Sequence, residues 1–300
     1  MALGGRLEVW IKREDLLPLA FGGNKLRNLE FLVGAALAEG ADSLVTSGRR
    51  WSNHARLTAA AGARAGLPVH LVLSGPATDP PNPGILLDRT LGATVHQTVT
   101  DDRAEREGLV ELVVDELRAE GRHPYVIGVG GSGITGAIGQ VLAGLELVEG
   151  AAGRGFVPDT VVVPTATGGT HAGLLVGFAT AGVATPVRGY TVARAASELR
   201  PHVEALVTEL SRVPGLATVP DGAIRLDDGE LGAGYGVPTA SADAATRLLA
   251  TTEGVLVDPI YTAKALAGLV ALARRGELDG QSVVFWHAGG TPGLFEPLVG

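Results

Sequence analysis

The sequence predicts an α/β protein built on parallel sheets, because short β-branched runs alternate with longer runs rich in alanine and leucine. Glycine contributes 44 of the 300 residues, about twice its average share, which indicates many tight turns between the elements. Three hundred residues can form one large domain or two ordinary ones. The number of strand–helix units favours two sheets.

The predicted elements follow one another in a regular order. In the first half, apolar runs predict strands at 42–48, 68–75, 93–99 and 124–131. Between and after them, helices are predicted at 52–66, 82–92, 102–120 and 134–150. A strand, a glycine-rich loop and a helix then occupy 160–182, followed by a strand at 186–193, a helix at 261–276 and a strand at 282–290. These patterns place a possible boundary between two units at 145–159.

Composition excludes several functional classes. The net charge is −8, the pI is near 5.4, and basic residues are scattered, so we expect neither nucleic acid nor a membrane as a partner. The absence of cysteine excludes disulfides, thiolate metal sites and cysteine nucleophiles, and no metal site is predicted. The first residues lack the apolar segment of a signal peptide, and no uninterrupted apolar run approaches membrane-spanning length. We therefore expect a cytoplasmic protein.

The stretch TATGGTHAG, Thr165 to Gly173, predicts a binding site for one phosphate. It follows an apolar strand and opens a helix, so backbone N–H groups and the helix dipole would face a bound anion. Three threonine hydroxyls add donors. No Gly-Lys-Ser/Thr follows, so the loop is not a nucleotide triphosphate loop. An ordinary strand-to-helix turn is the alternative.

Two other glycine-containing stretches carry weaker signals. GVGGSGITG, Gly128 to Gly136, fits a dinucleotide-binding spacing, but the next strand ends in Pro-Thr and not in the acidic residue that would hold a ribose. A nicotinamide dehydrogenase is therefore disfavoured. GRRWSNHARL, Gly48 to Leu57, puts Ser52, Asn53 and His54 at a helix start. There they serve either as a helix cap or as a cradle for a substrate carboxylate.

The stretch FGGNK ends in Lys25, one of only three lysines among 24 basic residues. A lysine can form a Schiff base, whereas the guanidinium of arginine is never a free nucleophile in a protein. Lys12 lies in a charged segment, and Lys264 is expected to be solvated on a helix face. Lys25 together with a site for one phosphate indicates pyridoxal phosphate as cofactor.

The whole chain resembles the fold-type II pyridoxal-phosphate enzymes, specifically the D-cysteine desulfhydrase and 1-aminocyclopropane-1-carboxylate deaminase family. The motifs that carry the resemblance run from KRED and GGNK through SNH, NPGILLDRTLGA, PYVIGVGGS, TATGGTHAG and GYGVPT to EGVLVDPIYTAKALAGL and HAGGTPGLF. The resemblance implies a tryptophan synthase β-like fold with two domains and a homodimer. It places a large cofactor-binding domain at 1–32 plus 145–300 and a small inserted domain at 33–144, with the cofactor between them.

The same resemblance assigns the residues that hold the cofactor. Lys25 would form the Schiff base, and Asn53 would contact the phenolic oxygen of the ring. The phosphate would lie on the loop formed by Thr167, Gly168, Gly169 and Thr170.

The substrate residues are also implied by the resemblance. Its carboxylate would lie against the segment that contains Trp51, Ser52, Asn53 and His54, and Ser52 is counted with the catalytic residues. Tyr235 of GYG and Tyr261 of PIYT would flank the substrate as acid, base or stacking groups.

Several positions depart from the family pattern. Trp51 stands where the family usually has glutamine, Asn28 replaces a basic residue, and Gly133 replaces asparagine. At the two positions that commonly contact the pyridine nitrogen, this chain has Thr262 in place of glutamate and Ala288 in place of threonine. A weakly supported ring nitrogen suits β-elimination better than more demanding carbanion chemistry.

The sequence therefore predicts a pyridoxal-phosphate-dependent lyase or deaminase that acts on a small amino acid. Lys25 would hold the cofactor and then take the α-proton, and loss of the β-substituent would give a keto acid and ammonia. With D-cysteine the products would be pyruvate, sulfide and ammonia.

Three alternatives stay open. Cyclopropane ring opening is disfavoured by Thr262. Elimination on another β-substituted amino acid, including one with an anionic side group, is left open by Trp51 and its neighbours Arg49 and Arg50. A homologue that binds the cofactor without catalysis is the third.

Overall fold

A computed structural model describes residues 7–75 and 77–297 of the chain. Nine strands are described: β1 (Glu8–Arg13), β2 (Ser43–Arg49), β3 (Val69–Ser74), β4 (Thr94–Gln97), β5 (Pro124–Ile127), β6 (Thr160–Thr165), β7 (Val187–Thr191), β8 (Ile224–Asp227) and β9 (Ser282–His287). Nine α-helices are described with them: α1 (Lys25–Ala38), α2 (Asn53–Ala65), α3 (Pro83–Thr90), α4 (Arg103–Ala119), α5 (Ile134–Ala152), α6 (Gly169–Thr180), α7 (Ala196–Leu210), α8 (Ala240–Glu253) and α9 (Thr262–Arg274). Short 3-10 turns cover Glu14–Leu16, Val129–Gly131 and Thr291–Phe295.

The strands form two separate sheets. The larger has five strands in the order β1-β9-β6-β7-β8, and the smaller has four in the order β4-β3-β2-β5. Every pairing between neighbouring strands is parallel. The predicted α/β class with parallel sheets is thus confirmed, since helices connect the strands of each sheet.

Local signals account for the helix ends that were predicted well. At the start of α2 the Ser52 hydroxyl accepts a hydrogen bond from the backbone N–H of Ala55, and the helix ends at Gly66 with a left-handed φ of 72°. At the start of α4 the Asp102 carboxylate accepts from the N–H groups of Ala104 and Glu105. The predicted helix 102–120 therefore matches α4 together with its two caps.

Each sheet has its own hydrophobic core. Trp286 of β9 packs with Leu174 and Phe178 of α6 in the core of the larger sheet. In the smaller sheet, Leu29 of α1 and Leu44 of β2 belong to one cluster. The predicted domain bounds at 32/33 and 144/145 fall inside α1 and α5 and stay predictions.

The helical stretch Val129–Ala152, which contains α5, is the one part of the described chain that is long and apolar enough to cross a membrane. Half of its most apolar window is buried inside the protein, and α5 packs against α1 and α6. Buried core helices have this composition, and the packing places α5 among them.

The expectation that Lys264 is solvated is wrong. Its side chain lies in α9 with 0% of the residue exposed. The ammonium donates hydrogen bonds to the backbone carbonyls of Leu231, at 2.7 Å, and Gly234, at 3.0 Å. Lys264 thereby holds the loop that leads into Tyr235, because a buried ammonium must find acceptors.

Candidate active site

One cavity of about 630 Å³ opens where strand ends of both sheets meet. In parallel sheets the loops that follow the carboxyl ends of the strands commonly hold ligands. The cavity brings together ten of the predicted site residues: Lys25, Ser52, Asn53, His54, Thr167, Gly168, Gly169, Thr170, Tyr235 and Tyr261. Trp51 does not line it.

A tightly wound loop places Lys25 at the first position of α1. The four residues 20–23 all have positive φ values, which for Ala20 (44°) and Phe21 (66°) is uncommon in residues that carry a side chain. At Gly22 a Cβ atom would lie 2.3 Å from the carbonyl oxygen of Asp15, so only glycine fits. This positive-φ conformation of residues 20–23 directs the Lys25 side chain into the cavity.

The Lys25 side chain is half-buried in the wall of the cavity. Its Nζ donates a hydrogen bond of 2.7 Å to the carbonyl oxygen of Gly130. No carboxylate within the described residues forms an ion pair with it, and burial lowers the pKa of Lys25 to about 8. At pH 7 about a tenth of the amine is therefore uncharged, far more than at the ordinary pKa, and the uncharged form is what a nucleophile or a base requires.

Covalent capture of pyridoxal phosphate by the cofactor-free protein is expected to accelerate as the pH rises to about 8 and then level off. Only the uncharged amine attacks a carbonyl, whereas a lysine at its ordinary pKa of 10.5 would gain neutral amine well beyond pH 9. Stopped-flow absorbance across pH 6–10 measures the rate. A rate that still climbs steeply above about pH 9 would contradict the lowered pKa.

The glycine-rich loop between β6 and α6 contains the residues that are predicted to bind the phosphate. Gly168 has a φ of +90°, and Gly169 opens a twelve-residue helix whose first N–H groups lack helical acceptors. The Thr170 hydroxyl accepts a 2.8 Å hydrogen bond from the side chain of Asn24, the neighbour of Lys25. Lysine and loop are thus held in fixed relation to each other.

Buried polar atoms in the same cavity lack partners within the described residues. Nε2 of His171 is one, and burial lowers the pKa of this histidine to about 3, so the ring is neutral. An unpartnered polar atom at the start of α6 fits a phosphate or its bound water. The amine, the helix start and this atom together fit pyridoxal phosphate.

Asn53 is oriented by its neighbour Arg56. The amide oxygen of Asn53 accepts a 3.0 Å hydrogen bond from the Arg56 guanidinium, which leaves the amide N–H₂ as donor. The same guanidinium donates to the backbone carbonyls of Ala20 and Gly22, so it also supports the loop before Lys25. The amide N–H₂ of Asn53 is therefore a suitable hydrogen-bond donor for the phenolic oxygen of pyridoxal phosphate.

His54 presents a neutral ring to the cavity. The Thr46 hydroxyl donates to the carbonyl of Ile127 at 2.8 Å, so at 3.0 Å it accepts from Nε2 of His54. Nδ1 of His54 is then a bare acceptor, and it has no partner within the described part of the chain. Burial, and then the charge of Lys25, lower the pKa of His54 to about 3.

Tyr235 and Tyr261 form a pair at the cavity wall. Their hydroxyls are hydrogen-bonded to each other, and the rings meet edge to face with centroids 5.8 Å apart. Burial raises the pKa of both phenols. Both are neutral at physiological pH and can donate a proton. The Trp51 ring lies behind Tyr235, with centroids 6.0 Å apart, and its predicted role stays a prediction.

The two positions expected near the pyridine nitrogen differ in their placement. Ala288 lines the cavity. Thr262 is fully buried and its hydroxyl bonds to the carboxylate of Asp258, which also accepts from the backbone N–H of Tyr261 at 2.7 Å. Thr262 therefore stabilises the start of α9 and does not line the cavity.

Sequence reasoning did not assign several residues that line the cavity. Asn24 belongs to the GGNK stretch, and its position beside Lys25 was an available signal. His171 lies within the predicted phosphate loop. Arg106 had no local signal, because it occurs within an ordinary amphipathic helix and reaches the cavity only through packing.

The family model described as "Pyridoxal-phosphate dependent enzyme" matches residues 2–289. The chain is 39% identical over 295 residues to D-cysteine desulfhydrases of Salmonella schwarzengrund (strain CVM19633) and Salmonella typhi, covering 96% of this chain and 88% of each relative. It is similar to the crystal structure of an ACC deaminase homologue, with 37% identity, a TM-score of 0.88, and coverage of 98% and 87%. The processed threonine deaminase isoform 2 of Solanum lycopersicum, 18% identical with a TM-score of 0.68 and coverage of 96% and 76%, shares the fold.

Proposed function

Because this chain belongs to the family of pyridoxal-phosphate-dependent enzymes, we propose that it catalyses α,β-elimination on a small amino acid such as D-cysteine. The observation that carries the proposal is the half-buried Lys25 with its lowered pKa, which shares one cavity with a glycine-rich helix start and a pair of neutral tyrosines. The names of the relatives support D-cysteine as the first substrate to test.

The residues around Lys25 would hold the cofactor. Pyridoxal phosphate, when bound, supplies an electron sink for the negative charge that develops at the α-carbon of an amino acid. The backbone N–H groups at 167–170 would bind its phosphate, and the amide of Asn53 would donate to its phenolic oxygen. Asn24 would keep the loop in place through Thr170.

The start of α2 would receive the substrate carboxylate. Ser52, Asn53 and His54 line the cavity there, and the N-terminus of a helix favours an anion. The α-hydrogen would then lie within the same cavity as the amine of Lys25. Nζ of Lys25 would accept the α-proton as a general base.

The tyrosine pair would assist departure of the β-substituent. Both phenols are neutral and joined by a hydrogen bond, so a proton given to the leaving sulfur by one hydroxyl is replaced from the other. The overall reaction consumes D-cysteine and water and releases pyruvate, ammonia and hydrogen sulfide. Every atom is thereby accounted for.

Product analysis tests the proposal. The purified holoenzyme with D-cysteine is expected to release pyruvate, ammonia and sulfide in equal amounts, whereas L-cysteine serves as the stereochemical comparison. A second candidate, opening of 1-aminocyclopropane-1-carboxylate, is favoured by the similarity to the solved ACC deaminase homologue. Ammonia with 2-oxobutyrate from that substrate would replace the elimination proposal, and absence of turnover with every amino acid tried would leave a binding function.

We also propose a cytoplasmic homodimer with an inserted small domain at about 33–144. These statements rest on the family resemblance. Light scattering of the holoenzyme should give about twice the chain mass of 30.6 kDa. A monomeric mass that persists at high protein concentration would contradict the dimer.

A further inference from the structure

Arg106 of α4 is a buried arginine in the wall of the cavity. It is 8% exposed, and Nη1 donates a 2.7 Å hydrogen bond to the hydroxyl of Ser74 at the end of β3. Nε is buried and has no acceptor within residues 7–75 and 77–297. Nor does any carboxylate of that part of the chain form an ion pair with Arg106, whereas Arg27 forms ion pairs with two glutamates.

A second guanidinium adds to the positive charge. Arg49, at the end of β2, lines the same cavity and is bonded to the carboxylate of Asp101. Arg49 and Arg106 line the same cavity, and burial, and next the charge of Arg49, lower the pKa of Arg106. Asp101 forms its ion pair with Arg49 and not with Arg106. Burying a charge without a counter-charge costs free energy, so the Arg106 guanidinium favours the binding of an anion in the cavity.

The position of this charge separates it from the other two anion sites. The cofactor phosphate has the helix start at 167–170, and the substrate carboxylate has the start of α2. Arg49 ends β2, and Arg106 of α4 is bonded to Ser74 at the end of β3. The Arg49 guanidinium is 5.9 Å from the ring centre of Tyr235. Tyr235 belongs to the pair that would face the leaving group. Besides the cofactor phosphate and the substrate carboxylate, the anion at these arginines would then be a charged group on the side chain of the substrate.

Resting on the elimination reaction proposed above, we propose that Arg106 and Arg49 bind an oxyanion on the β-carbon of the substrate. The preferred substrates are then amino acids whose β-substituent is a phosphate, sulfate or sulfonate group. Lys25 takes the α-proton, and the bond from Cβ to the substituent breaks with its electron pair on the departing oxyanion. O-Phosphoserine and water give pyruvate, ammonia and phosphate, and cysteate and water give pyruvate, ammonia and sulfite.

The fork of a guanidinium matches such a group. Arginine binds tetrahedral oxyanions through two parallel hydrogen bonds, and the free Nε of Arg106 is one of the donors available. A thiol offers no oxygen to these donors. The cavity should therefore discriminate between oxyanion and neutral substituents at the same carbon.

The test compares kcat/KM of the holoenzyme for both enantiomers of O-phosphoserine, O-sulfoserine and cysteate with those of cysteine and β-chloroalanine. At least one oxyanion substrate is expected to exceed the best neutral one by about thirtyfold or more, as hydrogen bonds to a buried charge allow. The three oxyanions distinguish phosphate, sulfate and sulfonate. If neutral substrates are preferred, the inference is overturned while the elimination reaction stands.

Variants of Arg106 test whether this residue causes the preference for oxyanion substrates. Arg106→Gln should lower the ratio of oxyanion to neutral kcat/KM by about thirtyfold or more, and Arg106→Lys, which retains the charge without the fork, should lower it less. The matched control Arg118→Gln removes an exposed arginine of the same helix and should leave both values within about threefold. An equal loss on all substrates would mean that Arg106 binds the α-carboxylate, and would overturn the inference.

A binding measurement separates this inference from catalysis. At constant ionic strength, calorimetry of the holoenzyme should detect sulfate, since the cofactor phosphate already fills the loop at 167–170. Sulfate binding should weaken about tenfold or more in Arg106→Gln and persist in Arg118→Gln. Thermal unfolding and cofactor absorbance verify that the variants fold. Binding that Arg106→Gln leaves intact would contradict the site even if no substrate were turned over.

Discussion

Replacing Lys25 by alanine is expected to lower turnover of D-cysteine by at least about 10⁴-fold. The change removes the proposed covalent attachment of the cofactor and the proposed base for the α-proton, and a positioned base alone contributes up to about 10⁴. The side chain lines an open cavity and makes one hydrogen bond, so the fold should survive. Steady-state release of pyruvate measures the effect.

The control for this variant is Lys12→Arg. Lys12 lies outside the cavity and forms ion pairs with Glu14 and Glu146, which arginine can retain. Its activity should stay within about threefold of the unmodified enzyme. Full activity of Lys25→Ala would refute the proposed mechanism, and an equal loss in Lys12→Arg would indicate damage to the fold instead.

Replacing Gly168 by valine is expected to weaken binding of pyridoxal phosphate by about a hundredfold or more, as loss of several charge-assisted hydrogen bonds implies. Gly168 has a φ of +90°, which a β-branched residue rarely adopts, and its Cβ would lie 2.9 Å from Val203. The loop must shift, and its N–H groups then no longer converge on the phosphate. Titration followed by absorbance measures the affinity.

Gly182→Val serves as the matched control. Gly182 follows the other end of α6, has a φ of +71°, and has no atom within 4 Å of an added Cβ. Both variants carry backbone strain of about 1–2 kcal/mol, but only Gly168 belongs to the proposed phosphate loop. Affinity that changes equally in the two would show that general destabilisation, and not the loop, limits binding.

The parts of the site that could be predicted from the sequence are those in which one short stretch contains the whole feature. Three stretches are of this kind, and each directly follows a strand or a tight turn: the predicted phosphate loop, the capped start of α2 and the GGNK stretch. The features are local, so spacing and residue type were sufficient to single out these stretches, which the structure brings to one cavity. The specific substrate and residue roles came from resemblance.

The remaining parts depend on packing between distant segments. Arg106 occurs in a helix whose polar face gives no sign of a cavity, and it becomes part of the site because α4 packs on β2 and β3. Lys264 was expected to be solvated, yet it is buried because the loop before Tyr235 supplies carbonyl acceptors. No pattern within either helix contains that information.

Some elements of the larger sheet also lacked a clear pattern. Half of the residues in the edge strands β1 and β8 are charged, as edge strands often show, and neither strand was predicted. α7 contains Pro201 in its first turns, which weakens a helical pattern. Tertiary packing of residues such as Leu199 and Val203 stabilises it nonetheless.

The covalent bond between Lys25 and the cofactor is the central claim, and its direct test is an absorption spectrum before and after borohydride, followed by peptide mapping. A visible band that borohydride abolishes, with the cofactor then found on the peptide that contains Lys25, is the predicted result. A protein that stays colourless after pyridoxal phosphate is added, or a label on Lys12 or Lys264, would contradict it.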